Sequence, residues 1–115
     1  MDSLQILRER ALQFGAERDW QQFHSPKNLA MALAGEAGEL LECFQWLTEE
    51  ASGNLDAEQH QAVKEEIADI QLYLVLLADK LNIDIYAAAD EKIAKNTARY
   101  PVDRVKGSSK KYNQY

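Results

Sequence analysis

Two acidic pairs are the part of this sequence best suited to chemistry: Glu36-Ala37-Gly38-Glu39 and Glu66-Ile67-Ala68-Asp69. Carboxylates three residues apart share one face of a helix. At about 100° per residue, Glu36 at the origin puts Glu39 at about 300°, while the apolar stripe Leu29, Leu33, Ala37, Leu40, Leu41 and Phe44 centres at about 80°. The second pair repeats the offset, with Asp69 at about 300° from Glu66 and Val63, Ile67, Ile70 and Leu74 between about 40° and about 100°. Two such helices packed together would bring four carboxylates to one place. A hard, oxygen-only set of high negative charge suits Mg²⁺, with Mn²⁺ as a substitute, better than zinc.

A lone E-x-x-E is usually a solvated face. Two observations weigh against that here. No Lys or Arg occurs from Asn28 to Leu47, so Glu36, Glu39 and Glu42 have no cation at i±3 or i±4, and Glu66 and Asp69 also lack one. Their strips are shared with Ala32, Cys43 and Trp46 on one side and Ala62, Tyr73 and Leu76 on the other. Unpaired acids beside a core are costly unless a cation compensates them. On spacing alone, a metal site and a solvated acidic face both stay open.

Other site chemistries fit worse. A ferritin-like di-iron centre needs Glu-x-x-His, and neither His24 nor His60 has Glu three residues before it. There is no EF-hand loop and no glycine-rich phosphate loop, and one Cys with two distant His does not make a structural zinc site.

Ala, Leu, Glu, Gln and Lys dominate long stretches, with only five Gly and two Pro, so the elements that hold these acids are expected to be helices. The first runs from about Leu4 to Arg18, capped by Asp2 or Ser3, with Leu4, Leu7, Ala11, Leu12 and Phe14 on its apolar face. Asp19 to His24 reads as an aromatic-rich connection. Ser25-Pro26 opens a second helix to about Leu47, and Thr48 to Leu55 reads as a loop. Asp56 with Gln59 has the form of a capping box for a third helix to about Leu81. A fourth spans Ile85 to Tyr100 and is stopped by Pro101. Ile70 to Ala78 is apolar nearly all round, which in a chain of 115 residues calls for a second subunit to cover it. The expectation is an all-α, four-helix-bundle-type single domain over residues 1–101, assembling as a homodimer or homotetramer, with an irregular basic tail over residues 102–115.

With 46% apolar and 28% charged residues, the composition is globular. The net charge of −6 disfavours nucleic-acid binding, and the lack of a long apolar run or leader pattern makes a cytoplasmic protein without membrane attachment the expectation. One cysteine, Cys43, excludes an internal disulfide. Residues 1–91 carry 18 acids against 6 bases, and residues 92–115 carry 7 bases against 1 acid. That split suits a chain that holds both a cation and a polyphosphate, and suits equally an acidic body with a basic tail.

The chain resembles the MazG-like, all-α nucleotide pyrophosphohydrolases, and within them the dCTP pyrophosphatase branch. The likeness rests on the E-x-x-E and E-x-x-D pairs, joined to Glu17-Arg18-Asp19-Trp20, Phe23-His24, Asn28-Leu29, Phe44-Gln45-Trp46, Tyr73, and Asn96 with Arg99-Tyr100-Pro101. The resemblance implies hydrolysis of a deoxynucleoside triphosphate, dCTP preferred, to monophosphate and pyrophosphate. It implies Mg²⁺ held by Glu36, Glu39, Glu66 and Asp69, with Glu36 or Glu39 taking the proton of the attacking water. Trp20, His24, Trp46 and Tyr73 would line the nucleoside pocket, and Lys92, Asn96 and Tyr100 would serve phosphates or sugar. One departure is Ala11, where the branch can carry a histidine. The competing readings are a dUTP or non-standard nucleotide pyrophosphohydrolase, and a helical interaction module without catalysis.

Overall fold

The structure, a computed structural model, describes residues 2–108, and these are helical and turn segments without a strand. They fall into two compact units, Met1–Ile83 and Asp84–Tyr115. The first holds α1 (Ser3–Glu17), a 3₁₀ turn (Gln21–Phe23), α2 (Pro26–Phe44), α3 (Glu49–Ser52) and α4 (Ala57–Lys80); the second holds α5 (Ile85–Arg99) and α6 (Val102–Val105).

Local chemistry explains the helix starts. Asp2 caps α1 and Asp56 caps α4, each in a reciprocal capping box with a Gln three residues on. Ser25 accepts from the Asn28 amide at 3.1 Å, with Pro26 in the first turn of α2. Asp84 caps α5 through the Ala87 amide at 2.9 Å.

The helix ends were less legible. α1 and α4 both close with a left-handed residue, Asp19 and Asn82, each at φ 55°. After α1 the Trp20 amide reaches back to the Gly15 carbonyl and the Asp19 amide to Ala16; after α4 Ile83 and Asn82 repeat the pattern on Ala78 and Asp79. This is the Schellman closure, and Asp and Asn tolerate its left-handed position better than most residues. The first closure turns Trp20 back onto Phe14, ring centroids 5.6 Å apart and edge to face.

Three expectations need adjustment. The second helix ends at Phe44 and continues as a turn rather than reaching Leu47. Thr48, expected in a loop, caps the one-turn helix α3 by accepting from the Ala51 amide at 3.1 Å. The tail expected to be irregular holds the turn Val102–Val105, while its last residues lie outside the described ones.

α4 packs chiefly on α2 and also on α1. Leu29, Val63, Val75, Leu76 and Ala78 are the buried core. The packed face of α2 comprises Leu29, Ala32, Leu33, Glu36, Leu40, Cys43 and Phe44, so it centres close to Glu36 rather than on the expected stripe. Ala37 and Leu41 of that stripe are exposed, Leu41 at 64%, and Ile67 on α4 is exposed at 55%. The sequence holds two adjoining apolar strips on each helix, and their average displaced the stripe read from it. Ile70 to Ala78, by contrast, has no exposed residue. The exposed large apolar side chains lie outside this stretch, among them Leu41 and Ile67.

Candidate active site

Rotating the packed faces of α2 and α4 toward Glu36 and Glu66 drives the acids together. Carboxylate oxygens of Glu36, Glu39 and Glu66 all lie within 4.8 Å of one another. Asp69 stands close enough for its charge to act on Glu36 and Glu66. Oε2 of Glu36 and Oε2 of Glu66 are each buried with no hydrogen-bond partner. Buried acceptors are rarely left unpaired, because the desolvation cost is then uncompensated. An all-carboxylate donor set with two orphaned oxygens fits a hard divalent cation.

The protonation behaviour follows from this crowding. The Glu66 carboxyl beside it, then Glu39, then burial and the charges of Glu39 and Asp69 push Glu36 up to about 7 from its ordinary 4.5. Glu66 is also raised: its interaction with Glu36 acts to lower it, and burial with the charges of Glu39 and Asp69 outweighs that. The folded chain therefore holds the Glu36 proton more tightly than the unfolded chain between these values. This contribution to stability is complete below 4.5 and lost as pH rises through about 7. In the presence of EDTA, thermal stability should fall from about pH 5 to about pH 8, and Glu36→Gln should flatten that slope. Melting curves of both proteins across this range check it; an identical slope in the variant would refute the assignment.

Beside the cluster, a cavity of about 530 Å³ opens between α1 and α4, and Asp69 forms part of its wall. Trp20, His24 and Tyr73, all expected to line a nucleoside pocket, line it together with Leu7, Phe14 and Leu76. A smaller cavity of about 280 Å³ lies on the other side of the same three residues, toward Asn28, Leu29 and Ala32 of α2. The Schellman turn delivers Trp20, and the 3₁₀ turn carries the chain to His24. The Asn28 side chain donates to the Phe23 carbonyl at 3.1 Å and pins that turn to α2. The His24 imidazole lies against α1 at buried Gly15, where even a Cβ would make only an ordinary van der Waals contact, 3.6 Å from its Cε1.

Sequence reasoning missed the α1 wall, where Arg10 stands with Leu7, Ala11 and Gly15. The signal was present: Arg10 falls at i+3 from Leu7 and i−4 from Phe14, a cation inside an apolar stripe. Trp46, in the turn after α2, is 89% exposed and lines neither cavity. Lys92 and Asn96 lie one helical turn apart on α5, in the second unit, and the Tyr100 amide closes that helix on the Asn96 carbonyl at 2.8 Å.

Residues 32–114 match the MazG-like family. The chain belongs to the MazG-like family. It is 41% identical to human dCTP pyrophosphatase 1 over 97% of its length and 44% identical to the bovine protein of that name over 96%. The chain spans about two thirds of these relatives, 67% and 66% of their lengths. A crystal structure of a pyrophosphatase from Archaeoglobus fulgidus superposes with TM-score 0.82 at 34% identity, covering 88% of this chain and 94% of that one. This MazG-like chain is accordingly a nucleoside triphosphate pyrophosphohydrolase, which sets aside the reading as a non-catalytic interaction module. No helix among the described residues is long and apolar enough to cross a membrane.

Proposed function

We propose that the chain hydrolyses a deoxynucleoside triphosphate, dCTP in preference to others, to the monophosphate and pyrophosphate, using Mg²⁺ held by Glu36, Glu39, Glu66 and Asp69. The observation that carries this is the adjacency of the Glu36, Glu39 and Glu66 cluster to the aromatic cavity, with Asp69 in the cavity wall and its charge acting on Glu36. The names of the dCTP pyrophosphatase relatives support the choice of nucleotide. When bound, the cation neutralises triphosphate charge and polarises the phosphoryl group under attack. Glu36 or Glu39 would take the proton of the attacking water. Trp20 and Tyr73 offer aromatic faces to the base, and His24 offers a polar group to its edge. Trp46, Lys92, Asn96 and Tyr100 belong to this proposal on the family resemblance alone.

Assembly as a homodimer or homotetramer is part of the same proposal. It is supported by the exposed large apolar side chains Leu41, Trp46 and Ile67 of the first unit, Trp46 at 89%, since burying uncovered apolar area against a second copy is favourable. Sedimentation over a wide concentration range tests it, and a fully active monomer would remove it.

The substrate reading is tested by kcat/KM for dCTP, dUTP, dATP, CTP and ATP at fixed free Mg²⁺, with products separated. The expected result is monophosphate plus pyrophosphate, with dCTP fastest. ATP turned over as well as dCTP would overturn the preference, and release of inorganic phosphate with a diphosphate would overturn the reaction.

A further inference from the structure

We propose that Arg10 determines base specificity by donating to the two adjacent acceptors, N3 and O2, of a cytosine seated in the α1–α4 cavity. This rests on reading that cavity as the nucleoside site. Most of its wall is aliphatic or aromatic, and Arg10 is the one Lys or Arg in it. The residues at i±3 and i±4 of Arg10 are Ile6, Leu7, Gln13 and Phe14, so no acid on α1 can pair with it along the helix. No hydrogen bond or ion pair joins its side chain to another described residue. An unengaged guanidinium at the lip of an apolar cavity keeps its donors available to whatever enters.

The chemistry of that group selects among bases. Arginine presents a planar fork of donors and no acceptor, and it stays charged at any working pH. An apolar cavity favours an aromatic base over a polyanionic tail, so the group Arg10 meets is the base edge. Cytosine places N3 and O2 side by side as acceptors, which a guanidinium fork can engage together. Uracil and thymine carry N3–H at that position, and its proton would face the guanidinium N–H. A donor-only reader therefore accepts cytosine and penalises the other two pyrimidines, because a lost partner leaves a polar group desolvated without compensation.

Steady-state kinetics on dCTP and dUTP with wild type, Arg10→Met and Arg10→Lys test this. Arg10→Met keeps the apolar stem and removes the donors, at an exposed position where the fold does not depend on it. The expected result is a loss of about tenfold to about a hundredfold in kcat/KM for dCTP in Arg10→Met, with dUTP within about threefold of wild type. Arg10→Lys should also lose most of the discrimination, because a point charge cannot engage two acceptors at once. Equal losses on both nucleotides would assign Arg10 to the phosphates and overturn the inference, and so would an unchanged dCTP-to-dUTP ratio in Arg10→Met. If wild type showed no preference for dCTP over dUTP, the substrate reading and this inference would fall together. Preference in wild type with an unaltered variant would overturn only the inference.

Discussion

Glu39→Gln and Asp69→Asn are each expected to lower kcat by at least about a thousandfold at saturating Mg²⁺, with helical content unchanged. Each carboxamide preserves shape and removes one negative charge from a crowded group of acids that a divalent cation would compensate. The fold has little to lose. Glu39 is exposed, and two oxygens of its neighbours Glu36 and Glu66 already lack a hydrogen-bond partner. Removing one charge relieves repulsion among the rest, so the metal-free variants should melt no lower than wild type. Turnover and thermal melting on the same preparations separate the two effects. Near-wild-type turnover in either variant would mean that the acids do not carry the reaction.

Trp20→Ala is expected to raise KM for dCTP by about tenfold to about a hundredfold while kcat changes far less. Stacking one base on an aromatic side chain contributes about 1–3 kcal/mol, and that contribution is shared by ground and transition states. Trp20 is half-exposed at 46% and meets Phe14 edge to face, so its loss exposes little core. Initial rates across a range of dCTP concentrations give both constants. An unchanged KM would move the base out of the α1–α4 cavity and leave the acid cluster untouched.

The long helices that begin with a cap were readable in the sequence, because a cap is a local hydrogen bond between residues three apart, whereas one-turn α3 behind Thr48 was not. Asp56 with Gln59 and Ser25 with Pro26 are the clearest cases. The two Schellman closures were not, since Asp19 and Asn82 are residues that also serve ordinary turns and loops. The pairing of the acids was legible because helical spacing alone places Glu36 with Glu39 and Glu66 with Asp69. Which strip of each helix faces its neighbour was not. α2 and α4 carry more apolar surface than one chain covers, so periodicity averaged the strip around Leu41 and Ile67 with the packed one. Arg10 escaped for a related reason: a charged residue in an apolar stripe reads as a break in the pattern until a cavity is seen beside it.

Calorimetric titration of Mg²⁺ into the metal-free protein, beside the double variant Glu36→Gln with Glu39→Gln, tests the central claim most directly. The carboxylate cluster predicts saturable binding by the wild type, with proton release at neutral pH because a Glu36 pushed up to about 7 must give up its proton to a cation. It predicts no saturable binding by the variant. Wild-type protein that takes up no Mg²⁺, or a variant that binds it equally well, would contradict the claim that these acids form the metal site.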